Sequence, residues 1–199
     1  MEKNRSEPYS RRSRQTRGYN LGDDQGAQLV ELAVILPLLM VIIVGIFDFS
    51  QAFNLKQKLG SAAFLGARVG SSEPTTDFSQ ATPASVTAIR DVVDTYLKRA
   101  DIDDCGLSAI SASASPPLTW NATGTCTGGS TFTLTIQRGY TFPATVTGVA
   151  SQVNVVATQV TISYPYRWSF NRVIGLLVSG ASYAGPTLLT TTATVPNQD

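Results

Sequence analysis

The chain reads as an α+β protein. A long N-terminal transmembrane helix continues into a head that holds a second helix and a small antiparallel sheet. Three observations predict this. Sixteen consecutive residues, Leu32–Phe47 (LAVILPLLMVIIVGIF), carry no charged or polar side chain. Apolar positions at three- and four-residue spacing continue beyond that run and return after Pro83. The remainder changes to alternating runs rich in Thr, Ser and Val, joined by short or polar links.

The first 26 residues are a basic leader with Lys3, Arg5, Arg11, Arg12, Arg14 and Arg17. The leader carries six of the chain's 15 basic residues and four of its 14 acidic ones, leaving a nearly neutral remainder. At about 1.5 Å per residue, Leu32–Phe47 covers roughly 24 Å, and Leu29 and Val30 bring it near the hydrocarbon thickness of a bilayer. A buried core helix would show a polar face, and this run has none. The next basic residues after it are Lys56, Lys58 and Arg68. The positive-inside bias then puts the leader in the cytoplasm and everything after about residue 48 outside. Pro37 removes one backbone hydrogen bond within the span and predicts a helix kink.

An acidic side chain at the centre of a spanning helix costs on the order of 2.5–3.5 kcal/mol, so Glu31 at the cytoplasmic edge calls for a reason. One is that it reaches the headgroups. Another needs Gly26. If the chain is cut after Gly26, Ala27 becomes a free amine that is largely protonated at neutral pH, and Glu31 becomes the fifth residue. Between staggered subunits, the amine of one can neutralise the carboxylate of the next.

A small residue before the cut, a Glu five residues later and an apolar helix resemble a type IV prepilin-like processing site. More closely, GAQLVELAVILPLLMVIIVGIFDFSQAF, followed by AAFLGARVG, resembles the N-terminal segment of the TadE-like family. Members are pseudopilins or minor pilins of the tight-adherence (Flp-type) pilus. The resemblance implies a prepilin peptidase cut between Gly26 and Ala27, an assembly role for Glu31 and a pilin-like head. It also implies other pilin or pseudopilin subunits and the assembly platform as partners. The expected division is therefore 1–26 leader, 27–69 long helix with its span at about 29–47, and 70–199 extracytoplasmic head. Two other readings remain open. Ser50–Ala52 (SQA) has the small residues of an ordinary signal peptidase site, though the apolar run is long for a signal peptide. An uncleaved single-span protein whose outer domain binds a ligand or partner is the alternative of a different class.

Past the span, Phe49, Ala52, Phe53, Leu59, Ala63, Gly66, Ala67 and Gly70 recur at helical spacing, and the small ones permit close packing. This outer half is expected to pack on its own head. Residues 70–83 read as a loop. Thr82 is the expected N-cap and Pro83 the first position of a helix to about Ala100, with Val86, Ile89, Val93, Tyr96 and Leu97 on its apolar face. Arg90, Asp91, Asp94 and Lys98 are expected to be mostly solvated. Strands are expected at Leu107–Ser113 (weakly), at Thr131–Gln137, across residues 152–168 and at Thr187–Val195. Val153, Val155 and Ala157 share one parity while Val160, Ile162 and Tyr164 share the other, which predicts a bulge near Thr158. Between the last two strands, Trp168, Phe170, Val173, Ile174, Leu176, Leu177 and Val178 make a dense apolar connection that either caps the core or docks a pilus component.

Cys105 and Cys126 are the only cysteines, and in a Thr/Ser/Gly-rich background they are read as one disulfide in an oxidising compartment. Asp101–Gly106 (DIDDCG) imitates the start of a calcium loop, but Cys105 and Ala112 stand where ligands are required, so it reads as a solvated acidic turn. No metal, cofactor or nucleic acid is expected. The chain has no histidine, and Lys56, Lys58 and Lys98 fall on faces read as solvated with no serine elbow, so no catalytic residue is assigned.

Overall fold

The structure, a computed structural model, describes residues 23–115, 117–145, 152–170, 180, 185 and 187–198, with side chains from Gly26 onward. It contains helices α1 (Asp23–Ser72) and α2 (Ala84–Arg99) and strands β1 (Ser113–Ser115), β2 (Thr119–Thr125), β3 (Thr131–Ala144), β4 (Val153–Tyr166) and β5 (Thr187–Pro196). The strands form one antiparallel meander in the order β1-β2-β3-β4-β5. The architecture is α+β. Two compact units divide the chain, Met1–Met40 and Val41–Asp199.

In the first unit, α1 begins at Asp23, four residues ahead of Ala27, and every residue from Gly26 to Met40 is exposed. An apolar helix with no buried side is stable where its surroundings are hydrocarbon and not water. By length and composition, α1 can cross a membrane.

In the second unit, the continuation of α1 and the apolar face of α2 cover the inner face of the sheet. Ala52, Leu59, Ala62, Ala63 and Ala67 of α1 are buried with Val86, Ile89, Val93 and Leu97 of α2. Against them lie Trp120, Phe132, Leu134, Ile136, Val160 and Ile162. The small residues of α1 explain its closeness. A Cβ added to Gly70 would stand 2.6 Å from Thr158 Cγ2 and 2.7 Å from Ile89 Cδ1. Gly70→Ala should therefore destabilise the head. Overpacking costs about 1–3 kcal/mol, against about 1 kcal/mol that Ala returns over Gly in a helix, so the net loss should be about 1 kcal/mol. A shift in the urea midpoint at unchanged slope checks it.

Four expectations need correction. Residues 107–113 are not a strand: Leu107–Ala109 form a 3-10 turn and pairing starts only at Ser113. Thr119–Thr125, where no strand is expected from the sequence, is strand β2, and its inward residues Trp120, Ala122 and Gly124 are mostly too small to show alternation. The cap of α2 is not Thr82. The helix starts from Pro83, and the carboxylate of Asp77 accepts the Ser85 N–H at 2.9 Å and the Ser85 hydroxyl at 3.1 Å. Asp94 is also buried, with Lys98 donating to it at 2.7 Å, so that acid is not solvated.

The parity change in β4 falls at Thr158, but the extra residue lies on β3. Gln137 pairs with Gln159 and Tyr140 with Ala157, so Arg138 and Gly139 together face Thr158. Arg138 keeps the inward parity of Phe132, Leu134 and Ile136. Its guanidinium is buried, donates to the Glu73 carbonyl at 2.9 Å and lies 5.0 Å from the Phe78 ring centroid. That fastens the loop after α1 to the sheet. The outer face of the sheet presents uncharged rows, including Thr161–Thr192 at 2.9 Å and Ser163–Thr190 at 3.1 Å.

Cys105 and Cys126 are bonded, joining the chain after α2 to the β2–β3 turn across a separation of 21 residues. Closing a loop of that size contributes about 3 kcal/mol on the chain-entropy account. Asp103 reinforces the bridge from inside the acidic turn. Its carboxylate accepts the Thr127 hydroxyl at 2.6 Å, the Thr127 N–H at 2.9 Å and the Cys105 N–H at 2.9 Å. These bonds, the Thr127 hydroxyl first, hold the Asp103 carboxyl below its ordinary pKa. A lowered folded-state pKa stabilises at pH above the ordinary carboxyl value and loses that contribution as pH falls through the folded value. Stability should thus fall with acid below about pH 4, and Asp103→Asn should flatten that part of the pH profile.

Candidate functional site

The residues singled out from the sequence fall into two places. Gly26, Ala27, Glu31 and Pro37 all lie on α1 within the first unit. Ala27 and Glu31 are one turn apart and share a face. Among the described residues, the Glu31 carboxylate has no hydrogen-bond or ion-pair partner, and it projects from a surface of exposed Leu29, Val30, Leu32 and Val34. Nothing in the packing requires a glycine at 26, because an added Cβ would meet no atom within 4 Å. A helical glycine costs about 1 kcal/mol relative to alanine, so the fold alone gives no reason for it. Pro37 lies inside the helix, where its missing N–H leaves the Ala33 carbonyl without its helical donor.

The second place was not assigned from the sequence. Asp48, in the middle of GIFDF, is 2 % exposed although it is acidic and directly follows the apolar run. Three hydrogen bonds to its carboxylate explain how it tolerates burial. The Tyr166 hydroxyl donates to Asp48 Oδ1 at 3.1 Å and lies 3.2 Å from the Asp48 carbonyl. The Ser169 N–H donates to Oδ1 at 3.1 Å and the Phe170 N–H to Oδ2 at 2.7 Å. The carboxylate thus caps the backbone leaving β4 in the way an N-cap side chain caps a helix start, but from a different helix. Burial and the Asp48 carboxylate push the Tyr166 phenol up to about 12.

Aromatic rings close around this cap. Trp168 meets Phe49 edge-on at 5.3 Å and Tyr166 at 5.1 Å, and its indole N–H donates to Thr187 Oγ1 at 2.8 Å. Arg167 turns the other way, its Nη2 donating to the Gly128 carbonyl and, at 3.4 Å, to the Ser130 hydroxyl. Gly128 and Gly129 take positive φ values of 91° and 79° in that turn, a conformation glycine adopts without a Cβ clash. Of the apolar connection expected between the last two strands, Val173, Ile174, Leu176, Leu177 and Val178 lie outside the described residues. The signal that could have found the site is the placement of an acid and an aromatic, Asp48-Phe49, at the end of an uncharged run.

Neither place has the makings of a reaction centre among the described residues, and no group of three or more His, Cys, Asp or Glu side chains there is placed to hold a metal ion. What the first place offers is one carboxylate on an otherwise apolar, uncovered helix. What the second offers is a rigid joint between the end of the apolar run and the sheet.

Comparison with known proteins gives a match over the N-terminal part of the chain. The family model described as TadE-like protein matches residues 26–68, from Gly26 through the apolar run and Asp48 to Arg68. It relates the chain to the Tad pilus system and to the membrane. Neither a curated protein nor a solved structure matches the chain.

Proposed function

We propose that this chain, TadE-like over residues 26–68, is a non-enzymatic, membrane-anchored pseudopilin or minor pilin that takes part in assembling a tight-adherence pilus. In this reading a prepilin peptidase cuts between Gly26 and Ala27 on the cytoplasmic face. The apolar half of α1 then holds the subunit in the inner membrane, with residues from about 48 onward outside. The other pilin-type subunits and the assembly platform are its partners. The Ala27 amine of one subunit pairs with the Glu31 carboxylate of the next.

The observation that carries the reading is the uncovered carboxylate of Glu31 on a helix whose residues 26–40 are all exposed. An ion there is costly in hydrocarbon unless a counter-ion comes to it, and the cut supplies one. The glycine at 26, which packing does not require, fits a role in recognition by the peptidase. An uncleaved single-span protein is the second reading. It is favoured by one feature, that α1 begins at Asp23 and so runs through the bond to be cut. Helix ends fray, and a cut in the first turn needs only local opening.

Intact mass of the protein from its native membrane decides between them. A mature chain starting at Ala27 is expected, and Gly26→Trp should leave the leader attached. A native, functional chain that starts at Met1 would sink the proposal in favour of the uncleaved anchor, and a start at Phe53 would point to ordinary secretion.

A further inference from the structure

We propose that the apolar cavity beside Asp48 is a lipid site, taking an acyl chain from the leaflet that meets the head. The cavity measures about 280 Å³ and is lined by Val41, Gly45, Asp48, Phe49, Trp168 and Phe170. This is several times the roughly 30 Å³ that a water molecule occupies in the liquid, and water enters a cavity only where two to four polar partners receive it. Asp48, the one charged wall residue among the described residues, has little to offer. Both oxygens of Asp48 already accept hydrogen bonds, from Tyr166, Ser169 and Phe170. The Trp168 indole N–H is likewise engaged with Thr187. Among the described residues, the surface facing the cavity is mostly methyl, methylene and ring.

Continuity with the apolar run selects lipid as the occupant. Val41 and Gly45 belong to Leu32–Phe47, so the inference rests on that run lying in the bilayer. Given this, the cavity is walled on one side by residues at hydrocarbon depth. From Gly45 to Phe49 the helix rises only about 6 Å, which puts Phe49 and Trp168 at the boundary where aromatic rings gather. Ile46, Phe47, Phe49 and Phe53 are each more than half exposed, so the same apolar surface continues outside the cavity. The space beside Gly45 is open, since a Cβ there would touch nothing within 4 Å.

The test uses the full chain in phosphatidylcholine liposomes, with and without bromine on the acyl chains, read by tryptophan fluorescence. Trp168→Phe isolates the signal of Trp168 from that of Trp120, which is buried in the head. Roughly twofold quenching of the Trp168 component is expected, as for an indole at the hydrocarbon boundary. Gly45→Leu should fill the cavity and remove most of that quenching while leaving Trp120 emission unchanged. Protein that floats with the liposomes but shows no quenching of Trp168 would overturn the lipid site and leave the membrane anchor standing. Failure to float would overturn both. Equal quenching in Gly45→Leu would show the rings at the surface with no chain in the cavity, and the acyl site would be abandoned.

Discussion

Asp48→Ala is expected to release the chain after β4 from α1 and to destabilise the head by about 1–3 kcal/mol, since the two backbone hydrogen bonds it removes are partly buried and each contributes about 0.5–1.5 kcal/mol net. The N–H groups of Ser169 and Phe170 lose the carboxylate as acceptor. Tyr166 suffers less, because its hydroxyl still has the main-chain carbonyl of residue 48 at 3.2 Å. Thermal unfolding and near-ultraviolet signals from Trp168 would register the loss. Tyrosinate absorbance gives a readout specific to the joint. In the native protein Tyr166 is pushed up to about 12, first by burial and then by the neighbouring carboxylate. A folded-state pKa above the ordinary phenol value contributes stability that is complete below about pH 10. That contribution drains away as the pH rises toward the folded value of about 12. Removing the carboxylate should draw the phenol back toward its ordinary value and narrow this window. A titration of Tyr166 unchanged by Asp48→Ala would show that the hydrogen bonds do not hold the joint together.

Glu31→Ala should leave the protein in the membrane and largely absent from pili. Insertion loses nothing, because removing an acid from an apolar helix only lowers the cost of placing it in lipid. Assembly loses the acceptor for the next subunit's amine. A buried ion deprived of its partner costs about 3–5 kcal/mol, which predicts a fall in incorporation of at least about a hundredfold. Immunoblots of sheared pili against membranes measure the ratio directly. Glu31→Gln should fail similarly, since an amide brings no charge. Pili with a normal content of the alanine variant would remove the case for the ion pair, whatever the mass of the mature chain.

Much of this architecture was legible without coordinates. The apolar half of α1 shows in composition alone, because a run with no polar face can be stable only in an apolar surrounding. The face of α2 shows in its spacing, and Val86, Ile89, Val93 and Leu97 are all fully buried. The disulfide followed from having two cysteines in a chain of this character. Strand β2 was hidden because Ala122 and Gly124 are small inward residues. Gly124 is needed there because a Cβ would collide with the Cys105 carbonyl, a contact that only the folded chain creates.

The amino-acid order by itself settled what depends on neighbours along the chain: the membrane-length run, the helical periodicity, and the cysteines. The tertiary structure alone decided the joint at Asp48, whose partners Tyr166, Ser169 and Phe170 lie 118 to 122 residues away. It also decided how the buried Arg138 is met, by the Glu73 carbonyl and the Phe78 ring, beside the bulge opposite Thr158. The physical reason is common to both. A buried ion is tolerable only where donors or rings from distant segments converge on it, and no local pattern of residue types records that convergence.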